Sequence, residues 1–151
     1  MISKLPHNTF WQIGVFRITI AVSILFFVLT IIAMRLYPGG TATNPHTQGY
    51  SFFFNFFSDL GRSVTPAGQS NLSSRVLFTL ALSMGALGVA LFFVALTQFF
   101  PDKGLAQRLS HLGAICSLIT CICFIGVALV PMNISGQVHY MFLDAALVSF
   151  I

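Results

Sequence analysis

Three long uncharged stretches, separated by polar segments, set the rhythm of this chain. The first, ITIAVSILFFVLTIIAM at 18–34, is framed by Arg17 and Arg35. It stands at the short edge of what crosses hydrocarbon, and both arginines have stems long enough to snorkel and extend it. The second occupies 76–100, between Arg75 and the Pro101–Asp102 stop. The third covers 109–130 and closes at Pro131. A fourth begins at 138 and reaches the last residue, 151. A helix of that length rises about 21 Å against a hydrocarbon core of about 30 Å, so the pattern predicts an incomplete fourth span, as in a fragment. The expected helices cover 13–36, 74–100, 108–131 and 137–151.

Composition fixes the solvent. Only 7% of residues are charged and 56% are hydrophobic, with a mean hydropathy of +0.90. Soluble domains carry about 25% charged residues, so this chain is expected to take lipid as its solvent. The fold class is therefore all-α: a polytopic transmembrane helix bundle forming a single integral membrane domain, 1–151. The first run is too long for a signal peptide and lacks a small-residue cleavage site after it. The net charge of +4 comes from scattered bases, which suit membrane-flanking anchors and exclude a nucleic-acid face. Lys4, Arg17, Lys103 and Arg108 on one side, against no base in 131–137, place the N-terminus in the cytoplasm, in a plasma membrane. Arg35, Arg62 and Arg75 pull the other way. Small residues four apart, Ala81 with Gly85, Ala86 with Ala90, and Gly113 with Ser117 and Cys121, predict close helix approach. Cys116, Cys121 and Cys123 all lie within the third apolar run, where free cysteine behaves as a small hydrophobe.

The first loop, 37–73, breaks this simplicity. After Pro38, Gly39 and Gly40 comes YSFFFNFFSDLGR at 50–62, with five phenylalanines in six positions. It is too short to span and too apolar for an ordinary loop. The spacing predicts a short interfacial or re-entrant helix over about 50–60, with Phe53, Phe56 and Phe57 on one face and Gly61 ending it. Asp59 is one of three acids in the chain. Two readings stand. In one, Asp59 pairs with Arg62 and fixes a turn. In the other, Asp59 belongs to a polar site, since ionisable groups at membrane depth are costly and usually functional. If the first helix starts inside, the fourth starts outside, and His139 emerges beside the first loop. The candidate ligand-binding residues are then Asp59, Arg62, His139, Asn71, His46 and Ser58. Ligand spacing of the H-E-x-x-H kind is absent, so neither metal nor cofactor is expected.

The segment 49–62, Asn71, and IGVALVPMNISGQVHYMF at 125–142 resemble the Domain of Unknown Function 998 family of uncharacterised multi-pass membrane proteins, and more distantly the DRAM and Sfk membrane proteins. The resemblance runs from the first helix to the chain end. It implies a bundle of about six helices in a complete member, which agrees with a truncated fourth helix here. Ser58, Asp59, Gly61, Asn71, Pro131 and His139 match its pattern, as site or structural residues without assigned roles.

Three functions follow as expectations. The first is binding of a membrane lipid or small amphiphile at a polar site near the outer mouth of the bundle. The second is a membrane-embedded lipid hydrolase or transferase, with His139 as base and Asp59 as its partner. The third is a structural membrane subunit in which the polar groups satisfy one another. Simple channels are disfavoured, because no acidic ring or carbonyl filter is present.

Overall fold

Uncharged runs of this length satisfy every backbone group internally as helix, the form lipid requires. The computed structural model describes residues 13–100 and 103–151. Lys4 and the Pro101–Asp102 stop lie outside them. Four helices follow in order: α1 Val15–Leu36, α2 Leu72–Leu96, α3 Leu105–Leu129 and α4 Gly136–Phe150. A single 3-10 turn at Thr97–Phe99 extends α2, and a second at Phe57–Gly61 lies in the first loop. Helices α1 to α3 are long and apolar enough to cross a membrane, as the sequence predicts. The chain is an all-helical integral membrane fold, with no strand among the described residues.

Consecutive helices pack as antiparallel neighbours, α1 on α2, α2 on α3 and α3 on α4. Small residues set the approach. A Cβ at Gly85 would stand 3.0 Å from the Phe26 ring, and one at Gly88 would stand 3.1 Å from Val22. Ala86, Ala90 and Cys121 form one buried cluster between α2 and α3. The ladders pack, and all three cysteines are free thiols, Cys121 and Cys123 buried and Cys116 half-buried. Between α3 and α4, a Cβ at Gly126 would collide with the Phe142 ring at 2.6 Å. Polar ties are few but span helices, as expected where lipid offers no drive for helix association. Thr79 Oγ1 donates to the Ala128 carbonyl at 3.1 Å, and the Thr120 and Ser149 hydroxyls meet at 2.8 Å.

The helix bounds shift by a few residues from the sequence reading: α1 starts at Val15 rather than 13, and α2 and α3 finish short of 100 and 131. α2 begins at Leu72 and α3 at Leu105, each about one turn before its apolar run, because the first turn of a helix carries polar residues at the interface without loss. The aromatic segment departs further. Residues 52–55 form turns, and only Phe57–Gly61 is helical, as one 3-10 turn. Side chains intercept the backbone groups that a longer helix would use. Asn55 Oδ1 accepts from Ser51 N at 2.9 Å, and Asp59 Oδ2 accepts from Phe56 N at 2.9 Å. Such local bonds compete with helix. Gly61 does not supply a left-handed turn, since its φ is not positive. It is small because a Cβ there would meet the Phe78 ring at 2.7 Å.

Candidate functional site

The first loop closes over the end of the bundle where α1 finishes, α2 begins, α3 finishes and α4 begins. Its aromatic segment is held by one ring. Phe57 packs on Phe78 of α2 with centroids 5.2 Å apart and approaches Phe26 of α1 at 6.3 Å. Phe52, Phe53, Phe54 and Phe56 are left exposed, Phe53 at 88%.

Beneath this segment lies a polar network centred on Asp59, which is 1% exposed. Its Oδ1 accepts from Arg62 Nη1 at 3.2 Å. Its Oδ2 accepts from Asn55 Nδ2 at 3.1 Å and from the Phe56 amide. The same Asn55 amide donates to the Gly40 carbonyl at 2.8 Å, to which the Tyr37 hydroxyl also donates at 3.2 Å. Gly40 is obligatory there: its φ is +87°, and a Cβ would press on the Ala67 amide nitrogen at 2.5 Å. Asn71 sits in the N-cap position of α2 yet does not cap it. Its Nδ2 turns back to the loop and donates to the carbonyls of Leu60 and Arg62, both at 3.0 Å, and of Asp59 at 3.4 Å. Ser74 Oγ adds a bond to the Leu60 carbonyl at 3.3 Å. The loop is thereby fastened to α2 through its main chain.

The α3–α4 connection docks against the same loop. Asn133 Oδ1 accepts from Ser63 N at 3.0 Å and its Nδ2 donates to Ser63 Oγ at 2.8 Å. The Ser58 hydroxyl lies 4.0 Å from Met132 Sδ. His139, 1% exposed, enters from the first turn of α4. Its Nδ1 lies 2.7 Å from the Val130 carbonyl. A carbonyl only accepts, so Nδ1 carries the proton and Nε2 is an acceptor in the neutral ring.

The six predicted residues therefore divide. Asp59, Arg62 and Asn71 form one connected network. Ser58 and His139 belong to the same end of the bundle through Met132 and Val130, but no hydrogen bond or ion pair joins His139 to Asp59. His46 is exposed, and its amide serves a local turn on Asn44 Oδ1 at 3.0 Å. Three contributors were missed: Asn55, Tyr37 and Asn133. Asn55, an isolated polar residue within the phenylalanine run, was the one visible signal. Among the described residues, no three His, Cys, Asp or Glu side chains converge in metal-ligand geometry.

Not every polar atom at this end is matched. Arg62 Nε, Thr65 Oγ1, Asn71 Oδ1 and His139 Nε2 are all buried without a partner. Buried polar groups are normally hydrogen-bonded, so each orphan marks a place for water or a ligand. A cleft of about 280 Å³ opens deeper in the bundle, floored by Leu82, Gly85 and Thr120 and walled by Ser23, Phe26 and Phe150. Its lining is almost wholly apolar, and Phe26 is the residue that also meets Phe57 of the loop.

Burial, and secondarily the Asp59 carboxylate, push the Tyr37 phenol up to about 12 from its usual 10.0; Arg62 opposes the shift. Tyr50, packed edge-on against Tyr37 at 5.7 Å, is raised by the same two causes in the same order. A folded pKa above the unfolded value favours the folded state below pH 10, and that contribution disappears as pH climbs toward 12. The thermal midpoint of the wild type in detergent is thus expected to fall over pH 10–12. Tyr37→Phe starts lower at pH 8, lacking the Gly40 bond, and the gap between the two should close over that window.

Comparison with family models gives no match, and neither curated proteins nor solved structures match the chain.

Proposed function

We propose that this membrane protein binds a single amphiphile, its headgroup under the first loop and its tail in the interhelical cleft. The observation that carries this reading is three of the four buried orphans at one end of the bundle: Arg62 Nε, Asn71 Oδ1 and His139 Nε2. They ask for one acceptor and two donors. Headgroup hydroxyls offer both; a fully ionised phosphate offers no donor. The Arg62 charge is already offset by Asp59 at 3.2 Å, which further favours a neutral headgroup over an anionic one. The apolar cleft suits an alkyl or prenyl tail. Exposed Phe52, Phe53, Phe54 and Phe56 then rest at the bilayer interface, where aromatic rings are favoured. In the same reading the loop end faces outward in a plasma membrane and the N-terminus lies in the cytoplasm, on the strength of Lys103 and Arg108 in the opposite connection.

Asp59 serves here as framework: both of its oxygens are taken by neighbours. The hydrolase alternative needs a free carboxylate beside the imidazole, and Asp59 makes no bond to His139.

Mass spectrometry of lipids that co-purify in mild detergent tests the proposal. Wild type is expected to retain one hydroxylated amphiphile well above its abundance in the host membrane. His139→Phe removes an acceptor at the head, and Ser23→Leu fills the cleft from an exposed position. Each should lower retention on the order of tenfold, the effect of about 1.4 kcal/mol in binding. A lipid profile equal to that of an unrelated membrane protein, or unchanged in both variants, would refute it.

A further inference from the structure

Helix α4 packs on α3 and leaves its other face uncovered. That face carries Tyr140, Met141, Leu147 and Val148, exposed by 48–79%, on either side of one polar residue, Asp144, which is itself exposed. Residues three and four apart share a helix face, so the carboxylate stands in the middle of an otherwise apolar strip.

Its depth follows from helix pairing. His139 meets Val130, Phe142 lies over Gly126, and Ser149 meets Thr120. These pairs keep one antiparallel register and set Asp144 level with Ile125 of α3. The contact of Thr79 with Ala128, and those of Phe26 with Gly85 and Val22 with Gly88, carry the same level to Leu82 of α2 and Leu29 of α1. Leu29 lies within the uninterrupted apolar run 18–34, about 9 Å inside Arg35 at 1.5 Å per residue. An uncovered carboxylate at that depth faces hydrocarbon, where ionisable side chains pair with a partner.

Among the described residues, no base lies level with Asp144. Arg35 and Arg75 are about 9–11 Å nearer the loop end, and Arg17 is about 18 Å the other way. A second copy in the same orientation would oppose acid to acid. The geometry points to a different occupant: the outer face of α4 is a docking surface for a transmembrane helix that presents a lysine or arginine at the level of Asp144. Tyr140 and Met141 above the charge, and Leu147 and Val148 below it, supply the apolar contact, and Asp144 selects the partner and its vertical register. This inference is independent of the amphiphile site.

The test uses the full chain, donor-labelled, in phosphatidylcholine vesicles. The probes are acceptor-labelled polyleucine transmembrane peptides, one all-leucine and one with a single lysine at the matching depth. Energy transfer should show the lysine peptide associating about tenfold more tightly than the all-leucine peptide. Asp144→Asn should abolish that preference, and Asp144→Lys should transfer it to a peptide bearing aspartate. Because Asp144 is exposed, both variants should keep the wild-type elution profile in detergent. Equal association of the two peptides, a preference that survives Asp144→Asn, or an Asp144-dependent homodimer would each overturn the proposal.

Discussion

Asp59→Ala is expected to lower folding stability by about 2–4 kcal/mol, read as a fall in the detergent thermal midpoint on the order of 10 °C. The carboxylate is nearly wholly buried and takes three donors: Arg62 Nη1, Asn55 Nδ2 and the Phe56 amide. Removing it takes an acceptor from all three, although Asn55 Nδ2 keeps the Gly40 carbonyl. The Phe56 amide and the Asn55 side chain lose a charged acceptor, and a hydrogen bond to a charged group contributes about 1.5–3 kcal/mol. Arg62 is left as an unbalanced cation. Its side chain is 20% exposed, so water recovers part of that loss and the total stays under the upper limit for a fully buried pair. Asp59→Asn keeps an acceptor for the Phe56 amide and should cost about half as much. The decisive comparison is a cycle with Arg62→Met. If the pair is coupled as the geometry states, Arg62→Met should cost less in the Asp59→Ala background than in wild type. Additive costs would mean that the ion pair contributes nothing and that only the amide bonds matter.

That network also shows where local pattern ends. The long apolar runs announced α1 to α3, because a stretch that cannot be wetted must become helix in lipid, and each such stretch is a local property. Asp59 with Arg62 was equally visible, being three residues apart with a clear chemical reason to meet. The aromatic segment misled because periodicity assigned its backbone groups to a helix, while Asn55 and Asp59 claimed them instead. Those claims depend on Gly40, fifteen residues earlier in the chain, and nothing near Asn55 signals that bond. The link between Ser63 and Asn133 spans seventy residues and is fixed only when α3 and α4 are in place. His139 was placed at the right end by counting helix crossings. Its bond to the Val130 carbonyl was not foreseeable, since it requires knowing how the chain turns at Pro131. Asp144 stands out as a polar residue in an apolar run, but its exposure is decided only once α3 has taken the opposite face.

Asn71 gives the sharpest contrast between local pattern and geometry. Read locally, Asn71 before α2 is an N-cap, and Asn71→Asp should be harmless, because aspartate caps as well as asparagine and favours the helix N-terminus. In the folded chain the side chain makes no cap bond. Its amide nitrogen faces the carbonyls of Asp59, Leu60 and Arg62, which only accept. Asn71→Ala therefore removes the donor and should cost about 2–4 kcal/mol, moderated at Leu60 by the remaining Ser74 hydroxyl. Asn71→Asp places a carboxylate, which has no proton to give at neutral pH, against those same three oxygens in a site that is 1% exposed. It is expected to be more damaging than alanine, with the lower thermal midpoint and the faster proteolysis of the first loop. The order of the two variants decides between capping and loop anchoring: aspartate above alanine would mean that Asn71 serves the helix, and alanine above aspartate that it holds the loop.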